Sequence, residues 1–193
     1  MLDEASPAPP GTDAASPCRV RVRFFRLWPV LLALPACAST PRLPVAAIAP
    51  AARPLFDPIA FFTGRTEGRG RLSKVLSDTE TTLVEGRGAI RGGSLHLVQQ
   101  VAEGGKPAHS REWVIREDRP GHYSGTLSDA EGPVSGRAVG NRLQLAFVMK
   151  GGLRTEQWLT LSPDGQRAYN VLKVRKFGIT VAVLSEDIRR APR

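Results

Sequence analysis

Histidine and cysteine, the side chains that most often carry metal or nucleophilic chemistry, are scarce in this sequence. Its 193 residues include three His and two Cys. His96, His109 and His122 lie on three different predicted strands or strand edges, without the i, i+4 spacing that pairs two ligands on one helix. We interpret them as exposed strand residues, although three histidines could converge across a closed sheet. The composition argues against a Cys/His zinc site and a redox dithiol, and we assign no metal ligand.

Ser128, Asp129 and His122 have the residue types of a hydrolase triad. Nothing in the sequence positions a nucleophile, since the motifs G-x-S-x-G, H-E-x-x-H, G-x-x-x-x-G-K-[ST] and G-x-G-x-x-G do not occur in it. Asp129 also lies in residues 128–132, whose composition is typical of a turn in which the carboxylate bonds the backbone. We therefore assign no catalytic residue and no cofactor. An enzyme acting on lipid chains through Asp129, His122 or Glu156 stays open as an alternative.

Cys37 follows a segment of unusual composition. Four arginines between residues 19 and 26, with no acidic residue among them, precede an apolar run from Leu27 to Leu34. This run is far shorter than the ~20 residues that a membrane-spanning helix needs. A positive segment, a short apolar run and small residues together are typical of a secretory signal peptide. We predict a leader and signal peptide over residues 1–36.

The apolar run ends in Leu34-Pro35-Ala36-Cys37, which resembles a bacterial lipobox. The resemblance implies cleavage before Cys37 and a diacylglycerol group on its thiol, and thus a lipoprotein of the cell envelope. Ala38 in place of Asp resembles outer-membrane sorting, with the domain facing the periplasm. An ordinary cleaved signal and a buried hydrophobic turn are the alternatives. Residues 37–54, rich in Pro and Ala, are then the lipidated Cys and a flexible linker.

The chain is basic, with 27 Lys and Arg against 18 Asp and Glu and a formal net charge of +9. Removal of residues 1–36 takes away four Arg and three acidic residues, so the charge becomes +8. The basic residues are dispersed and aromatic residues make up only 6% of the chain, which argues against a nucleic-acid partner. A basic surface held beside anionic lipid headgroups and simple solubility are the two explanations left.

Residues 55–190 are predicted to form one all-β domain. Asp57 and Pro58 have the types preferred as helix N-cap and first helical residue, so they predict a short helical turn that Thr63-Gly64 ends. After it, apolar and polar residues alternate with period two between turn signals such as Ser162-Pro163-Asp164-Gly165. The pattern predicts about eight to ten antiparallel strands. The candidate strands are 65–76, 81–90, 93–101, 110–116, 122–127, 133–139, 141–150, 155–162, 168–175 and 179–188.

Several of these strands contain an interior glycine, namely Gly68, Gly70, Gly86, Gly88, Gly125 and Gly136. Interior glycines weaken a flat sheet but permit the bends and bulges that close one, so they favour an up-and-down barrel over a sandwich. A barrel of about eight strands has room for side chains and one small ligand. We expect the alternating apolar residues, together with aromatic residues and Lys176 as a polar contact, to form a ligand site. The candidate ligand-binding residues are Leu95, Leu97, Trp113, Tyr123, Leu143, Leu145, Phe147, Trp158 and Lys176.

An ordered set of residues in the second half carries a family resemblance. The set is Trp113-Val114-Ile115, Tyr123-Ser124-Gly125-Thr126, Asp129, Gly132, Gly136, Gly140-Asn141, Trp158, Asn170 and Lys176-Phe177-Gly178. It resembles the domain-of-unknown-function family 3833, a group of bacterial lipoproteins, over about residues 55–190. The resemblance implies a lipocalin-like barrel, brings no catalytic residues, and hints at an association with fatty-acid modification. The chain departs from many relatives at Thr155-Glu156-Gln157, before Trp158, where they carry acidic residues, so a function resting on an acidic pair there is in doubt.

Taken together, these patterns predict an envelope lipoprotein whose lipocalin-like barrel binds a lipid, such as a fatty acid, or another apolar ligand. Its partner would be the membrane, through the lipid on Cys37. A structural or scaffolding lipoprotein that recruits an envelope partner is the second hypothesis. The enzyme acting on lipid chains is the third.

Overall fold

A computed structural model describes residues 53–191. These residues form one short helix followed by ten β-strands. The predicted leader, signal peptide and lipidated Cys37 lie outside the described residues. No helix in the described part of the chain is both long enough and apolar enough to span a membrane.

The helix α1, Pro58–Phe62, forms where the sequence predicts it. Its N-cap is Asp57, whose Oδ1 accepts hydrogen bonds from the backbone N–H groups of Ile59 at 2.9 Å and Ala60 at 3.1 Å. Pro58 begins the helix, where its missing N–H leaves no bond unmade. The Thr63 hydroxyl donates to the Ile59 carbonyl at 2.7 Å and the helix ends there.

The ten strands form one closed antiparallel barrel in which each strand pairs with its neighbours in sequence and β1 pairs with β10. This confirms the predicted all-β, up-and-down barrel. The observed bounds differ from the predicted ones by a few residues, because strand ends depend on pairing partners. The strands are β1 Gly64–Lys74, β2 Glu80–Arg91, β3 Ser94–Glu103, β4 His109–Arg119, β5 His122–Leu127, β6 Val134–Val139, β7 Arg142–Met149, β8 Leu153–Leu161, β9 Arg167–Lys176 and β10 Ile179–Arg190.

The interior glycines have a role other than the one predicted from the sequence. The register irregularities of the barrel lie at Glu117/Arg119 and Thr180/Ala182, away from these glycines. The glycines instead stand where a side chain would meet a neighbour. A Cβ on Gly88 would meet the Phe62 carbonyl of α1, and one on Gly125 would meet the Val114 carbonyl. They therefore allow close packing inside the barrel, and the prediction that they mark bulges was wrong.

The two ends of the barrel differ. Helix α1 covers one end, where the rings of Phe56, Phe61 and Phe62 are buried and the Phe56 N–H donates to the Gly140 carbonyl at 2.8 Å. The opposite end carries the turns β1–β2, β3–β4, β5–β6, β7–β8 and β9–β10. We call these the plugged end and the far end. The core between them contains the inward residues of β3 and β7 that the alternation predicted, among them Leu95, Leu97, Leu143, Leu145 and Phe147.

Candidate ligand-binding cavity

The barrel encloses a cavity of about 380 Å³. This volume is within the range of roughly 300–1,000 Å³ for small-molecule sites. Phe62 of α1 lines the cavity at the plugged end, and eight of the ten strands contribute to the cavity wall. Strands β5 and β6 do not, since their inward positions are filled by residues packed in the core, such as Tyr123, Leu127 and Val134. Most of the lining side chains are apolar, so the cavity suits an apolar molecule.

Three of the candidate ligand-binding residues line this cavity, namely Leu97, Trp113 and Leu145. The Trp113 indole N–H donates to Gln99 Oε1 at 2.7 Å, and its ring meets Phe147 edge-on with centroids 5.5 Å apart. The ring is thereby held with its polar atom already bonded. It offers the cavity an apolar face.

Four other candidates are buried beside the cavity without lining it, namely Leu95, Tyr123, Leu143 and Phe147. They belong to the packed core around the plugged end and β5–β7. Burial, with smaller contributions from Glu117 and Asp57, raises the pKa of Tyr123 to about 12. The phenol therefore stays neutral at physiological pH and acts as a packing group.

Trp158 and Lys176 lie elsewhere, although the sequence predicted both as ligand-binding residues. On β8 the inward positions are Gln157 and Leu159, so Trp158 points outward, and Lys173 Nζ lies 5.9 Å from its ring centroid. Lys176 is exposed at the β9–β10 turn, with its Nζ 5.7 Å from the Phe177 ring centroid. Neither residue lines the cavity.

Four polar residues that line the cavity were not predicted from the sequence: Thr82, Gln157, Asn170 and Glu186. We call these four residues the acceptor cluster. All four are buried, and Asn170 Nδ2 donates to Glu186 Oε2 at 2.9 Å. Burial raises the pKa of Glu186, and the hydrogen bond from Asn170 and the charge of Arg111 offset only part of that effect. One signal existed in the sequence, since Glu186 occupies an inward position of β10 between Leu184 and Ile188.

Charged residues surround the cavity toward the far end. Lys74 Nζ lies 2.8 Å from Glu80 Oε2 and 3.6 Å from Glu103 Oε2, while Arg111 Nε lies 2.7 Å from Asp129 Oδ2. Lys74, Glu103 and Arg111 line the cavity and are partly exposed, and we call these three residues the mouth.

The ion pairs at the mouth balance the charges there. Burial raises the pKa of the Asp129 carboxyl, but the hydrogen bond and charge of Arg111 outweigh it and leave that pKa lowered. The Asp129 carboxylate thus stays charged and holds Arg111. The basic groups of the mouth are consequently already matched by carboxylates of the chain itself.

The structure does not bring the candidate catalytic residues together. His122 begins β5 and Asp129 follows its other end, so the two are roughly 20 Å apart along the strand. Glu156 lies on the outward face of β8, where its carboxylate accepts from Arg175 at 2.7 Å. Within residues 53–191, no three His, Cys, Asp or Glu side chains are grouped to hold a metal ion.

Comparison with known proteins gives a family and a fold. The model of the family described as "Protein of unknown function (DUF3833)" matches residues 32–190. Among curated proteins no match was found.

Two solved structures share the barrel. The S-type phycobiliprotein lyase CPES from Guillardia theta has a TM-score of 0.54 and 7% identity, covering 70% of this chain and 91% of its own. Rv2717c from M. tuberculosis has a TM-score of 0.51 and 19% identity, covering 70% of this chain and 99% of its own. At these identities the likeness is one of fold.

Proposed function

The chain belongs to the DUF3833 family, and from that premise we propose that its barrel binds an apolar small molecule. One observation carries the proposal, namely the cavity of about 380 Å³ with a mostly apolar wall. A barrel that served only as a scaffold would gain stability by filling this space, since empty volume costs about 24 cal/mol per Å³. The barrel shared with the two solved structures is compatible with ligand binding.

The size of the cavity limits the ligand. At roughly 30 Å³ per non-hydrogen atom, the volume of a water molecule in the liquid, it holds about a dozen such atoms. A chain of about ten carbons gains ~0.8 kcal/mol for each methylene taken out of water. The loss of translational and rotational freedom costs about 4 kcal/mol or more, so the ~8 kcal/mol gained by ten carbons leaves a Kd of about 1 mM, and contacts to the polar end of the ligand must tighten it further. A medium-length acyl or alkyl chain, or a molecule of one or two rings, fits this limit.

A neutral fluorescent probe tests the proposal. 1-Naphthylamine, whose two rings stay within the size limit of the cavity, should shift its emission to shorter wavelength when titrated with the purified protein and reach saturation at one molecule per chain. The variant Leu97→Trp places an indole ring in the cavity in place of a smaller side chain and should weaken binding of the probe at least tenfold. The matched control is Val98→Trp, because Val98 is the next residue on β3 and faces solvent. Equal binding by both variants, or no saturable binding by the unmodified protein, would refute the proposal.

We also propose that the barrel is held at the cell envelope by a lipid on Cys37. The support is the sequence of residues 19–37, in which a positive segment and a short apolar run end at a lipobox-like Cys. Mass spectrometry of Cys37 peptides from the membrane fraction should show acyl chains. The Cys37→Ser variant should leave that fraction. A Cys37 without acyl chains would overturn this part of the proposal.

A further inference from the structure

The acceptor cluster forms a continuous polar strip on one wall of the barrel. Gly70 of β1 pairs with Glu186 on one side and with Thr82 on the other, and Glu186 pairs with Asn170 on β9. Gln157 is one inward position from the residue of β8 that pairs with Asn170. Because paired residues of antiparallel strands share a face at about 4.5–5.5 Å between Cα atoms, the four side chains are neighbours.

The polar atoms of the strip that lack a partner are all oxygens. Thr82 Oγ1, Gln157 Oε1, Asn170 Oδ1 and Glu186 Oε1 are buried and have no hydrogen-bond partner among the described residues. Three of these atoms are amide or carboxyl oxygens that accept hydrogen bonds, and the Thr82 hydroxyl oxygen also has lone pairs to offer. A buried polar atom left without a partner costs about 1–3 kcal/mol. All four belong to residues that line one cavity, and unpartnered atoms of this kind indicate that something else completes their bonding.

Two glycines make room for this arrangement. A Cβ on Gly68 would meet Glu186 Oε1, and one on Gly70 would lie 2.7 Å from Thr82 Oγ1. Any larger residue at these positions would displace the polar atoms. The backbone of β1 thus leaves the space that the acceptor cluster occupies.

The charges around the cavity disfavour a carboxylate as the partner of this strip. The two cationic groups that line the cavity, Lys74 and Arg111, are held by Glu80, Glu103 and Asp129. A bound carboxylate would place its oxygens against those of Gln157, Asn170 and Glu186, and among the buried atoms without a partner only the Thr82 hydroxyl could donate to it. A hydroxyl group has one proton to donate and an ammonium group has three.

We infer that the ligand of this cavity has a polar end that donates hydrogen bonds, a hydroxyl or an amine, and that the acceptor cluster receives it. The inference rests on the proposed function and adds the chemical class of the ligand. It departs from the fatty acid that the sequence analysis expected. The apolar body of the ligand would lie against Leu97, Trp113 and Leu145 on the other strands of the wall.

Three probes with the same ten-carbon chain separate the possible polar ends: decan-1-ol, decylamine and decanoate. Each is titrated against the protein carrying 1-naphthylamine at pH 7.5, and displacement gives its Kd. The alcohol and the amine should bind at least tenfold more tightly than decanoate. Equal or tighter binding of decanoate would overturn the inference while leaving the proposed function intact. If the naphthylamine itself does not bind, the proposed function fails first.

Variants locate the effect in the acceptor cluster. Glu186→Gln removes the negative charge and should weaken decylamine binding about tenfold while improving that of decanoate. The matched control is Glu156→Gln, the same change on the outward face of β8, where Glu156 pairs with Arg175. Thr82→Val removes one acceptor with little change of shape, and it should weaken the alcohol and the amine about threefold or more. Unchanged affinities in both Glu186→Gln and Thr82→Val would overturn the inference, and Thr82→Val decides alone if Glu186→Gln does not fold.

Discussion

The hollow interior predicts that two buried leucines differ in their importance for stability. Leu143 is 1% exposed and packed in the core, whereas Leu172 is 9% exposed and lines the cavity. Truncation of a buried Leu to Ala costs about 2.7–5.0 kcal/mol, and the cost grows by ~24 cal/mol for each Å³ of new void. Leu172 already faces space, so Leu172→Ala should fall near the lower limit. If about 60 Å³ stays empty after Leu143→Ala, that variant should cost about 1.4 kcal/mol more.

Urea denaturation measures this difference. With a slope of about 2 kcal/mol per molar urea, an extra 1.4 kcal/mol lowers the midpoint by about 0.7 M. The slopes of the two variants should agree, since both unfold from the same barrel. Decan-1-ol should raise the midpoint of Leu172→Ala at least as much as that of the unmodified protein, because the enlarged cavity still accepts it. If Leu172→Ala lowers the free energy of unfolding as much as Leu143→Ala does, the interior is packed solid in solution and the predicted difference is refuted.

Three further predictions concern single residues. Asp57→Ala should lower the free energy of unfolding by about 1 kcal/mol, and Asp57→Asn should retain most of it, because the amide oxygen still caps α1; thermal denaturation of both variants checks this. Burial raises the pKa of Glu186 above its ordinary value of 4.5, so its contribution to stability is complete below that value and is lost as the pH rises through the folded-state pKa. As the pH rises above 4.5 the unmodified protein should therefore lose more stability than Glu186→Gln, and an equal change of the urea midpoint with pH in the two proteins would contradict this. Gly125→Ala should cost about 1–3 kcal/mol, because its Cβ would meet the backbone carbonyl of Val114, and a denaturation midpoint equal to that of the unmodified protein would disprove it.

The strands and the apolar core were predictable because they depend on local alternation. Leu143, Leu145 and Phe147 alternate with polar or smaller residues, and a period of two puts them on one face whatever the neighbouring strands do. The N-cap at Asp57 and the turn that ends at Gly165 are equally local. Gly165 has φ of 68° and its N–H donates to the Ser162 carbonyl at 2.9 Å.

The polar side of the cavity was not predictable by the same rule, since that rule assigns polar residues to the outer face. Gln157 and Asn170 occupy inward positions, so the alternation on β8 is inverted and the adjacent Trp158 faces out. A shift of one residue moves every side chain of a strand to the other face. Only the pairing of β8 with β7 and β9 determines which of the two registers forms.

The position of the chain ends has a consequence for how the barrel meets its surroundings. Thr66 near the start of β1 pairs with Arg190 at the end of β10, and the Ala191 N–H donates to the Arg65 carbonyl at 2.9 Å. Both ends of the described chain therefore leave from the plugged end, opposite the mouth. Any attachment through either terminus, whether a lipid tether, an affinity tag or a sensor surface, holds the barrel by its base. The mouth lies at the end of the barrel away from such an attachment.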